Sequence, residues 1–167
     1  MANTLNTTAW PAFAWGVLSG MRSLSAPAFM AHYLSQSYSP VLAGSPLRFL
    51  QNAKVATGLK VLAGSELIGD KLPGAPNRIA APVLLVRILS GALVGAAYSL
   101  HQNQSWRTGA FLGGAGAIAG SYSFFFLRTS LAKNTTTPDL VYALTEDALV
   151  LTSGISLANS SLKKKLF

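Results

Sequence analysis

Five apolar stretches separated by short polar segments dominate this chain. They lie at about 9–34, 47–72, 79–100, 108–131 and 138–157. Each is long enough to cross a bilayer as a helix, because about 20 residues at about 1.5 Å per residue match a hydrocarbon core of about 30 Å. The pattern predicts one all-α domain over residues 1–167, a polytopic membrane protein of about five helices.

The second stretch is the least apolar of the five. Arg48, Lys54 and Lys60 all lie in its first half. Two interpretations stay open: an amphipathic helix lying in the membrane interface, or a spanning helix whose polar side faces protein or water. The length of the stretch favours the spanning helix.

Composition supports a membrane protein and argues against nucleic-acid binding. Half the residues are hydrophobic, 11% are charged and the mean hydropathy is +0.39, whereas soluble domains carry about 25% charged residues. The net charge is +8, but the basic residues are scattered between apolar runs and form no continuous basic face. We therefore expect a multi-pass protein of the inner membrane, with lipids and no nucleic acid as partners.

One basic cluster, Lys163-Lys164-Lys165, lies at the very end of the sequence. Basic residues beside membrane helices favour the cytoplasmic side. This predicts a cytoplasmic carboxyl terminus, and five spans would then place the amino terminus outside.

Two arginines lie inside apolar stretches, where a charge costs about 2.5–3.5 kcal/mol on insertion scales. Arg22 is at the middle of the first stretch with Pro27 close behind, and Arg87 stands alone in the third. Proline removes a backbone hydrogen bond and frees a carbonyl, which is typical of a discontinuous helix at a binding site. The alternative for Arg22 is that it snorkels to water from the end of a shorter helix.

Acidic residues supply the partners for these arginines. Glu66 and Asp70 are four residues apart, which places both carboxylates on one helix face just before the Pro/Gly break at 73–76. Glu146 and Asp147 lie inside the fifth stretch. The candidate ion- or ligand-binding residues are Arg22, Glu66, Asp70, Lys71, Arg78, Arg87, Glu146 and Asp147.

Glycines in the third and fourth stretches predict close helix packing. Gly91-x-x-x-Gly95 and the glycines between 109 and 120 form small-residue faces. These faces either pack within one chain or support a homodimer. A faint similarity between 20–34 and 117–131 also suggests a degenerate inverted repeat, whose copies would cross the membrane in opposite directions.

Three segments resemble a known family. GMRSLSAPA, SELIGDKLPGAPNRIAAPVLLVRILSGALVGAA and PDLVYALTEDALVLTSG are similar to the small bacterial membrane proteins grouped as domain of unknown function 4126. The Glu-x-x-x-Asp-Lys-x-Pro-x-x-Pro-x-Arg pattern at 66–78 is the most specific part. The resemblance implies a helical integral-membrane fold and carries no activity or catalytic residue.

Three function classes can be weighed on these residues. A transporter or channel for an ion or small charged solute is the preferred hypothesis, and a membrane scaffold or lipid-binding protein with a structural charge network is the alternative. We do not expect an enzyme, because the sequence has no nucleophile elbow, P-loop or dinucleotide motif. His32 and His101 do not lie at metal-ligand spacing from the acids, so no catalytic residue, metal or cofactor is predicted.

Overall fold

The computed structural model describes residues 2–69, 80–134 and 139–161, and these ranges are helical with short connections. The elements are α1 (Ala2–Met21), α2 (Ser25–Gln36), α3 (Pro40–Ala43), a 3₁₀ helix (Pro46–Gln51), α4 (Ala53–Gly69), α5 (Ala81–His101), α6 (Trp106–Asn134) and α7 (Asp139–Ser161). The all-α prediction is confirmed.

The first two predicted helices are each divided in the structure. The stretch 9–34 contains the end of α1, a break at residues 22–24 and most of α2. Pro27 has no N–H to donate to the carbonyl of Ser23, which weakens the helix at this point. The stretch 47–72 contains the 3₁₀ helix and α4, and the side chain of Asn52 between them accepts a hydrogen bond from Lys54 N as a helix cap. Helices α5, α6 and α7 agree with the other three stretches apart from their ends.

Helix α2 turns back alongside α1. Asp147 of α7 pairs with Arg22 at the end of α1, while Ser160 near the end of α7 lines the same cavity as Trp10 near the start of α1. Helix α7 is therefore antiparallel to α1. The hydroxyl of Tyr33 in α2 contacts Asn159 Oδ1 of α7 at 3.4 Å, so α2 ends where α1 begins.

Helices α1 and α2 thus form a hairpin, and we call residues 22–24 the hairpin apex. The opposite end of the bundle, marked by Trp10, Tyr33 and Ser160, is called the basal end. Helix α1 therefore begins, and α7 ends, at the basal end. The lysine cluster at 163–165 lies outside the described residues, so its predicted placement opposite the amino terminus stays a prediction.

Glycine contacts hold α1, α5 and α6 together. Gly16 of α1 and Gly91 of α5 both lie against the backbone of Gly113, and Gly95 lies against Gly109. A Cβ added at any of these positions would overlap a backbone atom of the neighbouring helix. The small-residue faces therefore pack within the chain, and the homodimer stays a prediction that other surfaces would have to support.

The two copies of the predicted inverted repeat differ in structure, and the repeat stays a prediction. Residues 20–34 include the hairpin apex and most of α2, whereas residues 117–131 lie inside the continuous helix α6. Helix α1 runs parallel to α6, because Gly16 meets Gly113 and Gly20 meets Ala117 further along both helices. Helix α2, which holds most of the first copy, therefore runs antiparallel to α6.

Two helices of the described ranges are long and apolar enough to cross a membrane. They are α5 and the portion Trp106–Ser130 of α6. By this criterion the five-span arrangement is not confirmed.

We predict that Gly113→Ala destabilises the protein and that its neighbour Gly114→Ala does not. At Gly113 a methyl group would overlap the backbone of Gly91 and force α5 and α6 apart, and overpacking of this kind costs about 1–3 kcal/mol or more. At Gly114 the nearest atom to an added Cβ is an Ile88 side-chain carbon at 3.7 Å, so alanine should gain up to about 1 kcal/mol of helix propensity. Thermal unfolding of both variants measures the difference, and equal melting temperatures would contradict the glycine packing.

Candidate functional site

The hairpin apex leaves backbone groups that a continuous helix would pair. In a continuous helix Leu24 N would donate to Gly20 O, and residue 27 would donate to Ser23 O. Here the helix stops at Met21, and residue 27 is proline. Because they lie in the interior, the amides of Ser23 and Leu24 and the carbonyls of Gly20 and Ser23 need partners from elsewhere.

Glu66 near the end of α4 satisfies both amides. Its Oε1 accepts from Ser23 N at 2.9 Å and its Oε2 accepts from Leu24 N at 2.9 Å. The position before α2 is occupied by Leu24, whose side chain cannot cap the helix. A carboxylate at a helix amino terminus also interacts favourably with the helix dipole, so Glu66 acts as the cap of α2 from another helix.

Helices α5 and α6 supply donors for the two carbonyls. Arg87 Nη1 and Ser121 Oγ both donate to Gly20 O, the latter at 3.2 Å. Ser90 Oγ donates to Ser23 O. Ser23 O has no helical partner because residue 27 is proline, and it accepts a hydrogen bond from a hydroxyl group of α5 instead.

Arg22 at the apex is fully buried and joins three helices. Its Nη2 forms an ion pair with Asp147 Oδ1 of α7, and its Nη1 donates to the main-chain oxygen of Glu66 at 3.3 Å. The alternative in which Arg22 snorkels to water is wrong, because the guanidinium group lies inside the bundle. A buried pair of this kind is sensitive to the loss of either partner.

The structure brings together four of the predicted site residues, which are Arg22, Glu66, Arg87 and Asp147. Glu146 is buried beside Asp147 on α7. Asp70, Lys71 and Arg78 lie outside the described residues.

Sequence reasoning missed Ser90 and Ser121. Both are buried hydroxyls next to a glycine in an apolar helix. A polar side chain directly beside a small-residue contact is the signal that would have identified them, since glycine lets another backbone approach within reach of the hydroxyl.

The histidines lie away from the apex. His32 Nδ1 accepts from Lys60 Nζ at 2.9 Å where α2 faces α4, and His101 ends α5. Across residues 2–69, 80–134 and 139–161, no three histidine or acidic side chains gather as a metal site would require. The chemistry of the apex is therefore that of carboxylates, guanidinium groups, hydroxyls and main-chain groups.

We predict that Glu66→Ala strongly destabilises the protein, whereas Ser65→Ala has little effect. The first change removes the acceptor of two apex amides, and hydrogen bonds to a charged group contribute about 1.5–3 kcal/mol each. Ser65 is exposed and its hydroxyl bonds only to Leu62 O of its own helix, so its removal should stay within about 0.5 kcal/mol. Unfolding by heat or by denaturing detergent compares the two, and a small effect of Glu66→Ala would show that the apex does not need this cap.

Comparison with family models, with curated proteins and with solved structures finds no match to this chain. The resemblance drawn from the sequence therefore stays an expectation, and the site is interpreted from its geometry.

Proposed function

We propose that this chain is a polytopic protein of the inner membrane that transports an ion or small charged solute. The membrane assignment is based on where polar and apolar side chains lie: charged side chains are buried in the bundle, and large apolar side chains are exposed on its surface. Arg22 is 0% exposed and Asp147 is 8% exposed, whereas Phe111 and Phe126 are 76% and 61% exposed. Water-soluble proteins rarely bury charged side chains completely, and they avoid large exposed apolar surfaces.

The depth of the apex agrees with an intramembrane site. Arg87 of α5 contacts Gly20 beside the apex, and α5 continues to His101 at the basal end. That distance is about 21 Å at about 1.5 Å per residue, which is two thirds of a hydrocarbon core of about 30 Å. Irregular backbone at such depth is tolerated only where protein satisfies its polar groups, which is the role of the helices around the apex.

The described basic residues are more numerous towards the basal end than towards the opposite end. Arg48 lies in the 3₁₀ helix, Lys54 at the start of α4 and Arg107 at the start of α6, against Arg128 and Lys133 near the end of α6. The positive-inside rule then places the basal end in the cytoplasm. The hairpin would enter the membrane from this side and turn back inside the protein.

The transport hypothesis depends on one observation, the buried ion pair of Arg22 and Asp147. Helices α1, α5 and α6 are fixed to one another by backbone contacts at glycines, whereas α7 packs on the α1–α2 hairpin. The ion pair thus joins the tightly packed part of the bundle to a helix outside it. A cation or proton can replace Arg22 at Asp147, and an anion can replace Asp147 at Arg22, when α7 moves.

A structural role for the charges is the second candidate, and a specific observation favours it. Glu66, Arg87, Ser90 and Ser121 all bond to main-chain groups of the hairpin. These contacts explain why the residues are polar without a solute. A scaffold would need only this network, whereas a carrier must also open the pair of Arg22 and Asp147.

We predict that the double variant Arg22→Gln with Asp147→Asn folds but does not transport. Asp147→Asn alone leaves a buried arginine without its counter-charge and should cost about 3–5 kcal/mol. The double change removes both charges and should recover most of that loss. In liposomes tested against a panel of protons, alkali cations and small anions, we expect flux from the wild type and about background flux from the double variant.

Arg107→Gln is the matched control, because it removes one exposed charge at the basal end. It should keep both stability and flux. If the double variant transports as well as the wild type, transport does not depend on opening the ion pair of Arg22 and Asp147. If the wild type moves no member of the panel while the single variant is destabilised and the double variant recovers, the scaffold role is correct.

A further inference from the structure

A polar cleft of about 690 Å³ lies at the basal end of the bundle, and no residue of the apex lines it. It is bounded by the end of α2, by α3 and by the 3₁₀ helix. Sites for small molecules have volumes of about 300–1,000 Å³. Among the residues that the structure describes, one charged side chain lines the cleft, and it is that of Arg48. The cleft is therefore large enough for a small ligand and carries a positive charge.

The walls of the cleft are held in place by the protein itself. Gln51 Oε1 accepts from Ser39 N at 3.0 Å, and Gln51 Nε2 donates to Ser39 O at 3.2 Å. These two hydrogen bonds join the segment after α2 to the 3₁₀ helix. Leu42 of α3 and Leu50 of the 3₁₀ helix are fully buried in the core. Because both walls are anchored before a ligand arrives, little conformational freedom is lost when one binds.

The polar groups left for a ligand are mainly hydrogen-bond donors. Within the described ranges, neither the guanidinium group of Arg48 nor the hydroxyl group of Tyr38 has a hydrogen-bond or ion-pair partner. Asn52 accepts from Lys54 N through Oδ1, which leaves its Nδ2 to donate. Gln36 adds a neutral amide group, and no described carboxylate lines the cleft. A cationic fork with neutral donors and no counter-charge favours an anion with several oxygen atoms.

Phosphate is the anion that fits this set of donors best. The planar guanidinium group of arginine binds two phosphate oxygens at once, which leaves further oxygens for other donors. We propose that the cleft binds a phosphate group, with Arg48 bonded to two of its oxygens and with Tyr38 and Asn52 donating to the others.

A lipid headgroup and a soluble phosphate ester are the two sources of such a group. Tyr38 and Phe49 line the cleft and are exposed, as is typical of aromatic side chains at a membrane interface. The lipid source rests on the membrane embedding proposed above, whereas the phosphate site itself does not.

Two binding measurements on the full chain in a mild detergent distinguish the sources. Native mass spectrometry tests the lipid, with an equimolar mixture of phosphatidylglycerol and a galactosyl diacylglycerol that has identical acyl chains but no phosphate. Titration calorimetry tests the soluble ester, with glycerol 3-phosphate as the ligand and glycerol as its uncharged counterpart. We expect the wild type to prefer the phosphate compound in at least one of the two measurements.

Arg48→Gln should weaken that binding by about tenfold to 100-fold, because it removes hydrogen bonds from a charged donor. Arg48 is exposed, so the variant should fold. Arg107→Gln is the matched control, since it removes an exposed arginine at the same end that does not line the cleft, and it should bind like the wild type.

Two further variants separate the fork from the charge. Arg48→Lys keeps the charge but loses the planar fork, so it should recover only part of the binding. Tyr38→Phe removes one neutral donor and should weaken binding by about threefold to tenfold.

The proposal is overturned if neither phosphate compound is preferred, if Arg48→Gln and Arg107→Gln weaken binding equally, or if Arg48→Lys binds like the wild type. Alkaline extraction of membranes separates this proposal from the proposed function. Release of the protein would refute the membrane embedding and the lipid source, while binding of glycerol 3-phosphate would still establish the phosphate site. A retained protein that transports a solute but prefers neither phosphate compound would refute the phosphate site alone.

Discussion

The structure depends on satisfying the backbone of a helix that breaks inside an apolar bundle. At this break the amides of Ser23 and Leu24 and the carbonyls of Gly20 and Ser23 lack their helical partners, and an unpaired main-chain group in such surroundings costs about as much as a lost hydrogen bond. Glu66 accepts hydrogen bonds from the amides, while Arg87, Ser90 and Ser121 donate to the carbonyls. The polar character of these four residues can be understood from their role as partners of this break.

Close packing makes these contacts feasible. Short side chains such as serine reach a carbonyl on another helix only when the two backbones are almost in contact, and the glycines between α1, α5 and α6 allow that approach. The glycines and the buried hydroxyls are thus two parts of one arrangement. Arg22 and Asp147 differ from the other polar groups because their ion pair connects the hairpin to α7 and does not cap its backbone.

The amino-acid sequence predicts the helical class, the break near Pro27 and four of the residues that meet at the apex. It does so because a proline and a charge inside an apolar stretch carry a clear physical cost. The reversal of α2 could not be predicted, since hydrophobic periodicity says where helices are and not how they are oriented. The stretch 9–34 is long enough for one span, so its division into two antiparallel helices depends on contacts with α4 and α7. Ser90 and Ser121 were missed for a related reason. Serine is common on helices, and only the tertiary structure shows which group its hydroxyl bonds to.

Under the membrane embedding proposed above, the hairpin is tested most directly by the side of the membrane on which residue 37 lies. Because the chain has no cysteine, single cysteines at Asn3, Ser37 and Lys133 can be labelled in sealed vesicles with a reagent that does not cross the membrane. Our account predicts that positions 3 and 37 are labelled from the same side and position 133 from the opposite side. Labelling of position 37 together with position 133 would mean that residues 9–34 cross the membrane as one helix, and it would contradict the hairpin.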